Sequence, residues 1–147
     1  MNNDKVTLQL YCVIVNEGLG KKVIKIAKAN DVTGTTVMIG RGTVFSTFLE
    51  FLGLNDVRKE LVLMAVDSQT GSKAIQAIGD KLGFHKPNHG IAFCMPIEKI
   101  YGSKQYDEFN KIKNEDKDMN HKLILTIVDR GKAEVVIDAA TAAGSQG

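Results

Sequence analysis

Six consecutive apolar residues, Leu61-Val62-Leu63-Met64-Ala65-Val66, constrain this chain more than any other stretch. A run of that length with no polar interruption reads as a strand covered on both faces, and so as a central strand of a sheet. Its neighbours must then supply flanking strands and a layer of helices. Val6 to Val15 is the first candidate strand: Leu8, Leu10, Cys12 and Ile14 alternate with Thr7, Gln9, Tyr11 and Val13, which gives one firmly apolar face. A turn at Asn16-Glu17-Gly18-Leu19-Gly20 leads into a helical pattern with Leu19, Val23, Ile26 and Ala27 inside and Lys21, Lys22, Lys25 and Lys28 outside. The lysines read as a solvated helix face before they read as a phosphate site. Asn30-Asp31 ends that helix.

A second strand runs over Gly34 to Ile39, where Thr35, Thr36, Val37 and Ile39 are β-branched. After the central run, Asp67-Ser68-Gln69-Thr70 supplies capping side chains. Ala74, Ile75, Ala77, Ile78 and Leu82 then form an amphipathic helix that Gly83 stops. Phe84 to Gly90 is a polar loop, and Ile91 to Ile97 a fourth strand ending near Pro96. The order β-α-β-β-α-β predicts an α+β, ferredoxin-like sandwich: an antiparallel sheet with two helices on one face and the first and third strands central.

Two connections invite function. Gly40-Arg41-Gly42 reads as a glycine turn bearing one arginine, and free N–H groups beside a guanidinium can cradle an anion. A glycine turn at a strand end is also an ordinary structural device. The segment 44–59, with Phe45, Phe48, Leu49, Phe51, Leu52 and Leu54, is long and apolar enough to need a cover, from the core or from another protein.

A net charge of +2 is too balanced to argue for nucleic acid or a membrane surface, and it counts against RNA. So does the central run, which lacks the stacking aromatics of RNA-binding sheets of this class. No apolar run is long enough to span a bilayer, and the first residues lack a signal-peptide layout, so a cytoplasmic location is expected. Cys12 and Cys94 both lie in apolar runs and are expected to be buried reduced thiols.

The C-terminal residues repeat the beginning of the chain at an offset of 113. Ile14-Val15-Asn16-Glu17-Gly18 matches Ile127-Val128-Asp129-Arg130-Gly131, Val23-Ile24 matches Val136-Ile137, and Gly34 matches Gly147. The expected organisation is a first domain over 1–103, a charged linker over 104–120 and a partial βα repeat over 121–147, with a strand at Leu123 to Val128. Such a strand-helix unit cannot bury its own face, so either the sequence is a fragment or the strand Leu123 to Val128 pairs with an edge of another sheet, and the residues do not choose between these.

Three pieces together resemble the P-II signal-protein superfamily, in a tandem version: the opening strand with its glycine turn and helix, Thr33-Gly34-Thr35-Thr36-Val37 leading to Gly40-Arg41-Gly42, and Pro87-Asn88-His89-Gly90-Ile91-Ala92-Phe93-Cys94-Met95-Pro96-Ile97-Glu98. The resemblance implies a ferredoxin-like regulatory protein, trimeric, non-enzymatic, sensing an adenine nucleotide (ATP, ADP or AMP), often with 2-oxoglutarate, in clefts between subunits. It implies that Thr36 faces the adenine, that Gly40, Arg41 and Gly42 lie along the ribose and phosphates, that Gly90 belongs to a phosphate loop, and that Lys104 approaches the phosphates. The segment 44–59 stands where the family docks its regulated partner of nitrogen metabolism. The chain departs from the family pattern at Ile91, where a lysine is usual, and at Tyr101-Gly102, with only Lys104 nearby; charge for the phosphates would then come from Arg41, Lys86 or the histidines, His89 included.

Other chemistries have less support. His85 and His89 sit four apart without an evident third ligand, so metal binding, as in the similar CutA proteins, is an alternative and not the leading reading. Neither cysteine has an activating setting, and no paired carboxylates suggest acid–base work. A ligand-free interaction module docking through the apolar segment is the third reading.

Overall fold

The computed structural model describes residues 7–43, 56–103, 106, 107, 109 and 122–145. The chain divides into two compact units, Met1–Lys113 and Asn114–Gly147. In the first, the elements are β1 (Leu8–Asn16), α1 (Gly20–Lys28), β2 (Thr36–Thr43), β3 (Asp56–Asp67), α2 (Ser68–Leu82) and β4 (Ile91–Pro96). The sheet is antiparallel with strand order β2-β3-β1-β4. This is the predicted ferredoxin-like arrangement, with β1 and β3 in the middle.

The helices cover the face that carries Tyr11, Val13 and Val15 of β1 and Val62, Met64 and Val66 of β3, closing over them with Val23, Ile26, Ala27, Ala74, Ile78 and Leu82. That is the opposite face of β1 from the one expected. β1 is apolar on both sides, so alternation could not choose between them; the crossover geometry of the helices did. Leu10, Cys12 and Ile14 lie instead on the side without helices, in register with Ala65, Leu63 and Leu61.

Local chemistry fixes the helix ends. The Asp67 carboxylate accepts from the backbone N–H groups of Gln69 and Thr70 at 3.1 and 2.9 Å, an N-cap for α2. Gly83 closes α2 at φ 71°, a left-handed position that suits glycine. Gly71 is fixed by packing: a Cβ there would lie 1.9 Å from Tyr11 Cε2. Tyr11 crosses this gap to donate its hydroxyl to the Ser68 carbonyl at 3.1 Å.

Two strand boundaries differ from expectation. β2 continues to Thr43 and β3 begins at Asp56, so Gly40-Arg41-Gly42 is paired strand, opposite Lys59, Arg58 and Val57, and not a turn. The expected helix and apolar cover within 44–55 lie outside the described residues. Cys94 also departs from its reading: it is exposed on the edge strand β4, whereas Cys12 is buried and burial pushes its thiol pKa up.

In the second unit, residues 122–129 form neither strand nor helix, and α3 (Ala133–Ala142) follows. The expected strand at Leu123 to Val128 is thus not formed. A strand exists only through its ladder, and no ladder partner for it occurs among the described residues.

Candidate functional site

The proposed ligand residues fall at one end of the sheet. The register runs Met38–Leu61–Ile14–Ile91 across all four strands. Gly40, Arg41 and Gly42 lie just beyond this row on β2, and Gly90 just beyond it before β4. β2 and β4 are the two outer strands, so three strand spacings, roughly 14 Å, separate the two segments within one chain. One protomer therefore does not bring Arg41 and Gly90 into a shared crevice.

The β2 segment is cationic. Arg41 stands opposite Arg58, with Lys59 next along β3. Like charges in that relation repel. Arg58 Nη1 reaches Glu17 Oε1 at 3.4 Å, but both side chains are largely exposed, so the pair contributes little. Thr36 sits half-buried opposite Leu63. A Cβ on Gly40 would come within 2.8 Å of Leu61 Cδ1, so glycine leaves the β2 backbone open beside that side chain.

The second segment is built on the end of α2. His89 Nδ1 lies 2.9 Å from the Leu82 carbonyl. A Cβ on Gly83 would be 3.3 Å from His89 Nδ1 and 3.8 Å from both His85 Cε1 and Lys86 Cδ. Lys86 and the two histidines thus gather over the carbonyl end of α2, where the helix dipole favours positive charge. Gly90 has its own packing reason: at φ 145° a Cβ would meet Phe84 Cε1 at 2.6 Å and the Ile14 carbonyl at 3.0 Å. Among the described residues no cluster of three His, Cys, Asp or Glu side chains could hold a metal ion. Lys104 lies outside the described residues.

Between these segments runs a polar link that the sequence reading did not nominate. Lys59 Nζ donates to Asn16 Oδ1 at 2.5 Å, and Asn16 Nδ2 donates to the Asn88 carbonyl at 3.3 Å. Glu60, next to Lys59, accepts from the backbone N–H of Gly20 at the start of α1. Asn16 thereby ties β3 to the Lys86–Gly90 loop. Its only sequence signal is its place at the end of an apolar strand, repeated as Asp129 in the second unit.

At the far end of the sheet, Tyr106 donates its hydroxyl to the Ala65 carbonyl at 2.6 Å. Burial, and then the nearby Asp67 charge, raise its pKa. Asp67 itself is held below the usual carboxylate range, chiefly by the Thr70 backbone N–H.

No family model matches the chain. Among curated proteins it is similar to nitrogen fixation nifHD1 region GlnB-like protein 1 of Methanosarcina barkeri, 25% identical over 96 residues, covering 64% of this chain and 91% of that protein. Among solved structures it is similar to CPII, a nitrogen regulatory PII-like protein from Thiomonas intermedia K12 bound to ADP, AMP and bicarbonate, with TM-score 0.50 and 13% identity over 66% of this chain and 97% of the other. The B. subtilis GlnK–ATP complex matches at TM-score 0.50 and 13% identity, covering 62% and 82% of the two chains. These likenesses show that the chain shares the fold of PII-like proteins over most of their length and is similar in sequence to a GlnB-like protein.

Proposed function

We propose that this protein is a non-enzymatic regulator that binds an adenine nucleotide in a cleft between copies of itself. Thr36, Gly40, Arg41 and Gly42 of one copy would face Lys86, His89 and Gly90 of the next, with Lys104 approaching from the segment that follows β4. The observation that carries this reading is topological: the two candidate segments occupy the same end of the sheet but opposite outer strands, so copies meeting side by side would bring one against the other. The face without helices gives copies a reason to meet. Met38, Ile91 and Phe93 are 42%, 59% and 45% exposed in the single chain, and their burial between copies would be favourable. The ADP- and AMP-bound CPII structure supports adenine nucleotides as the first ligands to try.

In this reading Arg41 supplies the charge facing the phosphates, and the segment 44–59 docks the regulated partner in the cytoplasm. No observation favours the CutA-like alternative: among the described residues no three His, Cys, Asp or Glu side chains cluster as a metal ion would need.

A thermal-shift titration with ATP, ADP and AMP tests the reading, since a ligand that binds only the native state raises its melting temperature. Arg41→Ala is expected to weaken nucleotide binding at least about tenfold, the loss of one charge-assisted contact. Its urea midpoint should stay unchanged, because Arg41 is exposed. Absence of any shift with all three nucleotides would reject the proposal, as would a monomer by sedimentation at every concentration.

A further inference from the structure

The polar link from β3 to the 86–90 loop has a direction that its chemistry fixes. We propose that Asn16, oriented by Lys59, is the positioning residue for that loop and so sets the affinity of the ligand cleft. This rests on the nucleotide cleft proposed as the function.

The loop is tied to α2 at its near end. The Lys86 N–H donates to the Gly83 carbonyl at 2.9 Å, and His89 Nδ1 lies 2.9 Å from the Leu82 carbonyl. Asn88 then turns the chain at φ 63°, a left-handed conformation that asparagine tolerates better than most residues with a Cβ. Its backbone carbonyl is where the sheet takes hold, through Asn16 Nδ2 at 3.3 Å. Lys86 stands before Asn88 in the loop, and His89 and Gly90 follow it. Where Asn88 is held therefore decides where all three positions assigned to the ligand stand.

The Asn16 amide can serve this link in one orientation. A lysine ammonium only donates, so Lys59 Nζ must meet Oδ1, as it does at 2.5 Å. A backbone carbonyl only accepts, so Asn88 must meet Nδ2. Turning the amide over would set donor against donor and acceptor against acceptor. Lys59 stands opposite Gly40 in the β2–β3 ladder, so the hold on the loop is anchored beside the other candidate segment. In this arrangement the Lys59 charge acts through Asn16, and Arg41 is the cation that faces phosphate.

Asn16→Asp is the test. The side chain keeps its shape and an oxygen toward Lys59, but it offers the Asn88 carbonyl a second oxygen in place of a donor. The turn into α1 is kept, because the Leu19 N–H donates to the backbone carbonyl of residue 16, at 3.2 Å. The unfolding free energy in urea should therefore not fall. Backbone NMR order parameters should fall at Asn88 and His89. Isothermal titration with ATP, ADP and AMP should show whichever the wild type binds best held about three- to tenfold more weakly, the loss of one hydrogen bond. Unchanged order parameters overturn the proposal. So does an unfolding free energy that falls while affinity stays the same, which would make Asn16 a purely structural residue. Lys59→Met should loosen the same loop residues; weaker binding with a loop as rigid as in wild type would make Lys59 a ligand contact and overturn its part. A wild type that binds none of the three nucleotides overturns the cleft reading and the affinity claim with it, while the order parameters still decide whether Asn16 holds the loop.

Discussion

The β1–α1 unit and the 122–145 unit share a sequence pattern and a turn, yet one lies in the core of its own unit and the other has no buried residue in its helix. Val23 is fully buried in α1, while its counterpart Val136 is only half-covered. Tyr11, Val13 and Val15 lie under two helices; Ile124, Thr126 and Val128 occupy the same positions and are exposed. The local code, glycine turn then helix, is sufficient for the turn and for α3. It is not sufficient for the strand, whose hydrogen bonds come from other segments. Burial in this molecule is conferred by β3, β4 and α2 and not by the βα unit that receives it.

The sharpest way to break this comparison is to make one substitution twice. Val23→Ala should destabilise the first unit by about 2 kcal/mol, through lost transfer energy and a cavity beneath α1. Val136→Ala should change the unfolding free energy measured in urea by less than about 0.5 kcal/mol, as surface substitutions do. Equal effects would mean that the second unit is packed as tightly as the first. Gly71→Ala belongs to the same class of effect. Its methyl group would press on the Tyr11 ring, which is held by the Ser68 carbonyl, so a loss of about 1–3 kcal/mol is expected.

Helix ends give a smaller contrast. α2 begins with the Asp67 cap, whereas Lys132 before α3 makes no side-chain cap. Asp67→Ala should cost about 1 kcal/mol at neutral pH. The pH dependence follows from the lowered carboxyl pKa, set first by the Thr70 amide. A group whose folded value lies below its unfolded one stabilises the fold above the unfolded value, near 4, and that stabilisation is lost as pH falls through the folded value. The difference between wild type and Asp67→Ala, measured by urea unfolding, should therefore shrink below about pH 4.

The sequence carried the element order and the central place of β1 and β3, because an uninterrupted apolar run has few other homes. It misplaced the β2–β3 boundary for an identifiable reason. Gly40-Arg41-Gly42 has turn composition, and Arg58-Lys59-Glu60 has loop composition, yet cross-strand pairing holds both in the ladder. Local propensity lost to tertiary hydrogen bonding. Which face of β1 is covered was illegible, since Leu10 and Cys12 are as apolar as Tyr11 and Val13. The candidate site was legible as a set of segments but not as a place: Arg41 and Gly90 stand on different outer strands, and only topology reveals that distance. Asn16 escaped notice because nothing in a lone asparagine says that Lys59 and Asn88 will meet it.

The smallest effect separates helix formation from burial in the second unit. Lys132→Asp would place a carboxylate where α3 has no cap and remove a positive charge from the end of the helix that repels it. Both changes favour the helix, by about 0.5–1 kcal/mol together. The gain should appear as slower amide exchange in the first turn of α3. It should leave the urea midpoint of the first unit where it was, because a cap acts on the first turn of its own helix. If the midpoint rises with the cap, helix formation in α3 is coupled to the fold of the first unit, and the contrast between a covered and an uncovered copy of one motif fails. If only the exchange slows, α3 is limited by its own end chemistry, and its gain does not pass to the fold of the first unit.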